Sequence, residues 1–279
     1  MSAQRNSILC PNCRKLISLD EPSCPYCGLI RPGLHDTAGK IRNLFFFFEP
    51  VQTVLYVNIA FFVLSLLLDP REIFMGGSLF GFLSPSNQSL LMLGASGVIP
   101  FMHYHHFWSL LSASFLHGGI LHIVFNMMAF YQLAPFVLQE FGLHRFSCIY
   151  LLTGVAGFAV SVMAGVPFTI GASASVCGLI GAIIYFGKSR GGAYGEAIYK
   201  QAMGWVIGLV LLGFLFSGIN NWAHGGGLAS GLLLAYVLGY HDQRPESAWS
   251  KVLAYACLLL TAGALLWAAI SSLFTQFVM

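Results

Sequence analysis

Long apolar stretches alternate with short polar segments along most of this chain. A helix needs roughly 17–25 mainly apolar residues to cross the hydrocarbon core of a bilayer. Seven stretches have about this length, although the fifth is short, and they cover residues 51–68, 118–138, 146–164, 172–187, 203–217, 223–240 and 252–275. The pattern therefore predicts an all-α polytopic membrane protein with about seven spans.

The composition supports a membrane protein and disfavours other classes. Only 8% of the residues are charged and the mean hydropathy is +0.76, whereas soluble domains contain about 25% charged residues. All ten acidic residues fall in predicted loops or at helix ends. Transporters that couple to protons or cations usually need a carboxylate within the membrane, so a transporter or channel is disfavoured. The net charge of +3 gives no basis for a nucleic-acid partner.

The basic residues predict the orientation of the chain in the membrane. With the N-terminus in the cytoplasm, Arg71 is the one basic residue of thirteen that lies outside. The first residues lack the apolar segment of a secretory signal peptide. We therefore expect a cytoplasmic N-terminus and an external C-terminus. The long, nearly uncharged loop 69–117 is then external, and we expect it to be partly embedded in the membrane interface.

Four cysteines near the N-terminus follow the pattern CPNC-x10-CPYCG, and they are Cys10, Cys13, Cys24 and Cys27. Two C-x2-C pairs can supply four thiolates to a tetrahedral Zn²⁺, which then folds a domain with almost no core. Two disulfides are the alternative, and a cytoplasmic location argues against them. Because four Cys ligands leave no coordination position for water, we predict a structural zinc ribbon over residues 1–33.

The segments around the ribbon offer weaker signals. The ribbon has no nucleic-acid-binding pattern, so we interpret it as a protein-interaction module with a cytoplasmic partner. Metal sensing and a simple cap on the chain are the alternatives. Residues 34–50 are a polar linker that ends in the aromatic cluster LFFFFEP, which suits the membrane interface. In the external loop, His103, His105 and His106 resemble a run of metal ligands. We interpret them as part of an interfacial loop, with weak metal binding as the alternative.

His122 and Asn126 lie within the second predicted span. Because they are four residues apart, a helix places both side chains on one face, about 6 Å from each other. Taken alone, the pair is better explained by hydrogen bonds between packed helices than by chemistry.

Ser173 and His224 each lie at the external start of a helix that is rich in small residues. Ser173 belongs to GASASVCGLIGA, and His224 is followed by a G-x-x-x-G face at Gly227 and Gly231. Two such faces let helices approach closely, near enough for Ser173 and His224 to form a hydrogen bond, although simple packing of small residues explains the motifs equally well when they are taken alone. With His122 near the external end of its own span, all three lie at a similar depth. Helix packing does not require the three residues to lie at the same depth. Catalysis does require it, because a nucleophile, a base and hydrogen-bond donors must surround the same substrate group.

Residues 51–242 resemble a rhomboid intramembrane serine protease. The resemblance rests on FWSLLSASFLHGGILHIVFNMMAFYQ, GASASVCGLIGA and NNWAHGGGLASG, which occur in the order and spacing of that family. It implies a six-helix rhomboid core over residues 51–242, and it leaves residues 243–279 as a loop and a seventh transmembrane helix. A zinc ribbon before such a core is compatible with a bacterial protein, so we expect the chain in a bacterial inner membrane.

The resemblance also implies roles for four residues. Ser173 would be the nucleophile and His224 its general base, while His122 and Asn126 would stabilise the oxyanion together with the backbone N–H of Ser173. The substrates would be transmembrane helices of other membrane proteins, cut without a catalytic cofactor. Because no carboxylate lies inside the membrane to orient the histidine, the chemistry is that of a Ser-His dyad rather than a triad.

Three positions depart from the family pattern and keep a second hypothesis open. Ala174 follows the nucleophile where Gly is usual, and its methyl group narrows the approach to the oxyanion site. Cys177 stands where an aromatic side chain often stacks on the catalytic histidine, and Ser109 follows Trp108 where Arg is common. The alternative is a weak or inactive rhomboid-like protein that binds transmembrane helices. Ser175 would point about 200° away from the nucleophile, so we interpret it as packing.

Overall fold

The computed structural model describes residues 7–10, 12–13, 15–30, 32, 49–70, 83–216 and 218–278. The chain divides into two compact units, Met1–Thr53 and Val54–Met279. Most of the predicted linker and interfacial segment lies outside the described residues, and so does Arg71. The predicted domain boundaries at residues 33, 50 and 242 stay predictions.

The N-terminal unit contains a small antiparallel hairpin beside four cysteines. Strand β1 (Ser7–Leu9) pairs with strand β2 (Leu16–Ser18). Three residues form its buried core, namely Cys10, Ile17 and Cys24. Apolar burial on this scale does not stabilise a fold by itself, so the cysteines must contribute through their own chemistry.

Nine α-helices follow the hairpin in the described part of the chain. In chain order they are α1 (Pro50–Leu67), α2 (Asn87–Met92), α3 (Ser109–Ser112), α4 (Ile120–Phe141), α5 (Leu143–Met163), α6 (Ser173–Arg190), α7 (Gly192–Leu215), α8 (Asn221–Leu238) and α9 (Ala248–Val278). The seven long helices, α1 and α4 to α9, each overlap one of the seven predicted apolar stretches.

Five helices of the described chain are long and apolar enough to cross a membrane, namely α1, α4, α5, α7 and α9. The chain is therefore an integral membrane protein with several candidate spans. Helices α6 and α8, which carry Ser173 and His224, are not among the five because small and polar residues lower their hydropathy. That these two helices also span the membrane stays a prediction.

Helix α6 lies at the centre of the bundle. Twelve of its 18 residues are buried, and it packs against four neighbouring helices. Its closest partner is α8, because a Cβ on Gly227 would lie 2.9 Å from the carbonyl carbon of Ala174, and one on Gly231 would lie 2.6 Å from Cα of Gly178. The two contacts advance by four residues on both helices, so α6 and α8 run parallel and begin at the same end.

The described part of the loop that is predicted to be external, 83–117, is folded rather than irregular. It contains α2, a turn of π-helix at Ile99–His103, and α3. Two backbone hydrogen bonds of 3.0 and 2.8 Å join Ser96 to Thr169, and these tie the loop to the segment that leads into α6. Its embedding in the membrane interface stays a prediction.

A polar cluster fixes the start of α9 to the start of α5. Glu246 Oε1 accepts hydrogen bonds from the backbone N–H groups of His144 (3.1 Å) and Arg145 (3.4 Å), and Glu246 Oε2 lies 2.7 Å from His144 Nδ1. The Arg145 side chain is buried and donates from Nη2 to the carbonyl oxygens of Arg244 and Pro245, each at 2.8 Å. Burial opposes ionisation of Glu246, but the bonds from His144 outweigh it and hold the Glu246 pKa below its ordinary value.

Candidate active site

Ser173 is the first residue of α6, and the chain reaches it through a constrained glycine. Gly171 has a φ of +126° and donates its N–H to the carbonyl oxygen of Ala113 at 2.9 Å. A Cβ at this position would lie 2.8 Å from His122 Nε2 and 3.7 Å from Ser173 Oγ. Only glycine combines this φ with room for the His122 ring. Gly171 therefore lets the imidazole and the serine hydroxyl gather around one point.

His122 is held in one tautomer by its own turn. Its Nδ1 accepts a hydrogen bond from the backbone N–H of Gly118 at 3.2 Å. A neutral imidazole whose Nδ1 accepts carries its hydrogen on Nε2, and Nε2 is the atom that faces Gly171. The buried ring of His117 packs edge-on against the His122 ring, with centroids 5.1 Å apart. His122 therefore presents a fixed N–H donor toward the start of α6.

His224 lies in the first turn of α8, where α8 meets both α5 and α6. A Cβ on Gly157 of α5 would lie 2.6 Å from the carbonyl oxygen of Ala223 and 2.8 Å from Cβ of Ala174. Ser173 and His224 are the sequence neighbours of these two alanines. The starts of the two helices that carry Ser173 and His224 therefore lie together at one level of the bundle.

Asn126 lies one helical turn after His122, and one of its amide hydrogens already forms a hydrogen bond. Its Nδ2 donates to the backbone carbonyl of His122 at 2.9 Å, and the residue is 8% exposed. The amide nitrogen carries two hydrogens. One hydrogen is used within α4, so at most one remains for an acceptor in the site.

Ala174 and Ser175 both point away from the site. The Ala174 methyl group is fully buried against Gly157. The expectation that this methyl narrows the oxyanion site is therefore wrong, because the start of α6 turns it into the interface with α5. Ser175 is also fully buried, and a Cβ on Gly154 of α5 would lie 2.5 Å from its Oγ. Ser175 thus packs against α5, as its position two residues after Ser173 predicts.

A cavity of about 360 Å³ lies beside His224. Its lining is mainly apolar, comes from α6, α7 and α8, and includes Cys177, Val206, Leu209, Val210, Phe214 and Leu228. His224 Nδ1 is buried, and it has no hydrogen-bond partner in the described part of the chain. Because Cys177 is small, no aromatic ring from that position braces the imidazole.

His103, His105 and His106, in the loop 83–117, do not come together as metal ligands. His106 stacks on Trp108 with ring centroids 5.2 Å apart, and His105 packs against Phe107 at 5.9 Å. Among the described residues, the N-terminal cysteines are the one cluster of three or more potential ligands. The rings of His105 and His106 are instead part of the aromatic packing of the loop.

The four N-terminal cysteines form a set that could hold a metal ion. Their sulfur atoms all lie within 4.8 Å of one another, with Cys10–Cys27 and Cys13–Cys24 both at 3.6 Å. Tetrahedral Zn–S bonds of about 2.3 Å place sulfur atoms roughly 3.8 Å apart, whereas a disulfide needs about 2.05 Å. All four thiols are free, so the geometry fits Zn²⁺ and not a pair of disulfides.

Three contributions to the site were not predicted from the sequence. The Gly118 N–H and the His117 ring act on His122 through a turn whose shape has no sequence signal. Asn220 could have been found, because Asn is a favoured residue immediately before a helix, and its side chain accepts a hydrogen bond from the Ala223 N–H at 3.0 Å.

The sequence around these residues matches a known protein family. A model of the rhomboid domain matches residues 104–241, a range that contains His122, Asn126, Ser173 and His224. The N-terminal cysteines and helix α9 lie outside the matched range.

Several curated proteins are similar to the chain. RHOMBOID-like protein 1 of Arabidopsis thaliana is 28% identical over 70% of this chain and 56% of its own length. Rhomboid protease GluP of Bacillus subtilis is 33% identical over 55% of this chain and 30% of its length. A second Bacillus subtilis rhomboid, YdcA, is 30% identical over 49% of this chain and 70% of its length. The chain spans about half the length of the Arabidopsis relatives that it matches.

Proposed function

Because the chain belongs to the rhomboid family, we propose that it is an intramembrane serine endopeptidase that hydrolyses peptide bonds in or near transmembrane helices of other membrane proteins. The observation that supports this proposal is that the helices carrying Ser173 and His224 run parallel, pack closely and begin at the same end of the bundle. A serine hydroxyl becomes an effective nucleophile when a base within hydrogen-bond reach takes its proton.

The reaction has two halves, acylation of Ser173 and hydrolysis of the acyl-enzyme. Each half needs one proton transfer to His224 and one from it. His224 takes the proton from Ser173 Oγ as this oxygen attacks the carbonyl carbon, and a tetrahedral oxyanion forms. The C–N bond then breaks and His224 gives the proton to the leaving amine, which leaves an acyl-enzyme. Water, deprotonated by His224, attacks the acyl carbon, and the proton returns to Ser173 Oγ as the acid leaves.

Three donors can stabilise the oxyanion. Nε2–H of His122 faces the start of α6, for the tautomeric reason given above. The backbone N–H of Ser173, as the first residue of α6, has no acceptor within its own helix and lies at the positive end of the helix dipole. The remaining N–H of Asn126 is the third. Each preorganised donor contributes on the order of 2.7–4 kcal/mol to transition-state stabilisation.

The cavity beside His224 suits a substrate with an apolar side chain near the cut. It is lined mainly by apolar residues, and its α7 wall is the most exposed of the long helices around the site, with Gly195 and Ala202 as its buried residues. A substrate helix must unwind to expose a carbonyl group, which costs free energy in lipid because peptide groups lose their partners. Small or helix-breaking residues near the cut reduce this cost.

The proposal also covers the N-terminal cysteines and the orientation of the chain in the membrane. Cys10, Cys13, Cys24 and Cys27 hold a structural Zn²⁺ in a cytoplasmic ribbon that binds a protein partner, and the Zn²⁺ supplies folding energy rather than catalysis. Helices α6 and α8 cross the membrane with the other five long helices, with the N-terminus in the cytoplasm and the C-terminus outside.

A second candidate is a helix-binding protein that does not cut. The observation that favours it is the unbraced imidazole of His224, with the small Cys177 beside it and no partner for Nδ1 in the described residues.

A cleavage assay in proteoliposomes separates the two candidates. The full chain is reconstituted with single-pass membrane segments that differ in helix-breaking residues, and fragments are identified by mass spectrometry. We expect cleavage by the wild type and by Ser175→Ala, and none by Ser173→Ala or His224→Ala. Helix binding without cleavage of any segment would favour the second candidate.

A further inference from the structure

We propose that Asn220 is a positioning residue that holds the Ser173 helix and the His224 helix in register. The inference rests on the proposed function, because the distance that Asn220 sets matters only if Ser173 and His224 react together. Among the described residues, the hydrogen bonds of the Asn220 side chain go to Ser161, Thr169 and Ala223, and not to Ser173 Oγ or the His224 ring.

The Asn220 side chain joins three elements of the bundle. Its Nδ2 donates to Ser161 Oγ, near the end of α5, and to Thr169 Oγ1, in the segment before α6, with both distances 2.8 Å. Its Oδ1 accepts from the N–H of Ala223, in the first turn of α8, at 3.0 Å. One amide therefore connects the end of α5, the approach to α6 and the start of α8.

The network fixes the orientation of this amide. The Ala223 N–H needs an acceptor, so the oxygen of the Asn220 side chain must face it. The nitrogen then faces the two hydroxyls, and both of its hydrogens are used. Ser161 Oγ can accept from Asn220 because its own hydrogen goes to the Gly157 carbonyl at 3.1 Å.

The link toward Ser173 passes through Thr169. Thr169 lies four residues before Ser173, and its backbone is held by the two hydrogen bonds to Ser96. Two residues later the Gly171 N–H is held by Ala113. The bond from Asn220 to Thr169 Oγ1 is thus a third hydrogen bond on this short segment, and it links the segment to the start of α8.

The link toward His224 passes through the first turn of α8. The Asn220 carbonyl accepts the His224 N–H at 3.2 Å, while the Asn220 side chain caps Ala223. Ser173 thus lies four residues after Thr169, which the Asn220 side chain contacts, and His224 lies four residues after Asn220 itself. Loss of the amide removes the direct bond between the two approaches, and it also removes the cap of α8 unless the new side chain supplies one.

The test compares side chains that keep or lose parts of this network in the full chain, purified in detergent. Asn220→Ser keeps a good helix cap but is too short to reach Ser161 and Thr169. Asn220→Asp keeps the cap and can accept a hydrogen bond from the Thr169 hydroxyl after it rotates, whereas a bond from Ser161 requires its hydroxyl to turn away from the Gly157 carbonyl. Thr169→Val removes one partner with little change in shape. Ser230→Ala is the control, since Ser230 Oγ bonds only to carbonyls within α8 in the described structure.

The readout is the kinetics of labelling by a fluorescent fluorophosphonate, resolved into the inhibition constant, the maximal rate and the labelled fraction at the end point. We expect Asn220→Ser and Thr169→Val to lower the maximal rate about tenfold or more, because small displacements of reacting groups are costly. The inhibition constant, the end point and the melting temperature should change little. Asn220→Asp should keep most of the wild-type maximal rate, and Ser230→Ala should label like the wild type.

The outcomes separate this inference from the proposed function. If the wild type labels and Asn220→Ser labels at the same maximal rate, Asn220 does not position the dyad. A fall in end point and melting temperature without a fall in maximal rate would assign Asn220 a purely structural role and would also overturn the inference. If the wild type itself does not label, the proposed function and this inference both fail.

Discussion

Replacing Gly227 by alanine perturbs the contact between α6 and α8, the helices that carry Ser173 and His224. The new Cβ would lie 2.9 Å from the carbonyl carbon of Ala174 and closer still to its oxygen, within the 3.0 Å that real Cβ contacts essentially never show. The obstacle is backbone, which cannot rotate away, so α6 and α8 must separate locally. Overpacking of this kind costs about 1–3 kcal/mol, partly offset by the roughly 1 kcal/mol that alanine gains over glycine in a helix.

The effect on chemistry should exceed the effect on stability. A displacement of about 1 Å between reacting groups can reduce the rate about 100-fold, so we expect the fluorophosphonate labelling rate of Gly227→Ala to fall by that order while its melting temperature falls by a few degrees. Gly263→Ala is the matched control, because a Cβ at Gly263 in α9 meets no atom within 4 Å. A wild-type labelling rate for Gly227→Ala would refute the close approach of α6 and α8 as the basis of the site.

Three further predictions concern separate parts of the chain. His122→Ala should lower the labelling and cleavage rates by about 100-fold or more, as expected for one lost oxyanion donor, with an unchanged melting temperature; an unchanged rate would remove His122 from the oxyanion site. Cys24→Ser should reduce bound zinc, measured by inductively coupled plasma mass spectrometry, from one ion per wild-type chain, whereas wild-type protein without zinc would contradict the ribbon. Glu246→Gln should destabilise the protein at pH 7 by about 1–3 kcal/mol, because it weakens the bonds to His144 and Arg145. Because the folded-state pKa of Glu246 is lowered, this stabilisation is present above the unfolded-state pKa of about 4.3 and is lost as pH falls through the folded-state value. The melting temperatures of the wild type and Glu246→Gln should therefore converge at acidic pH. A difference that stays constant with pH would argue against stabilisation by ionised Glu246.

The long helices could be predicted from the sequence because apolar length is a local property. Each of the seven predicted stretches overlaps a helix, and the small faces at Gly227 and Gly231 predict the close packing of α8. The start of α7 was predicted eleven residues too late, at 203 instead of Gly192. Its first turns contain polar residues, which a search for continuous apolar length does not count.

The remaining features depend on partners that are distant in the sequence. Glu246 meets His144 across 102 residues, and Asn220 meets Thr169 across 51. No local pattern specifies such pairs. The direction of the Ala174 methyl group could not be predicted either, because it follows from the angle at which α6 leaves Gly171.

Mapping a covalent adduct tests whether Ser173 is a nucleophile that His224 activates. The full chain is treated with a fluorophosphonate and digested, and the modified residue is located by mass spectrometry. We predict one adduct on Ser173 in the wild type and in Ser175→Ala, and none in His224→Ala. An adduct on Ser175 or on another serine, or modification of Ser173 that persists without His224, would contradict the account.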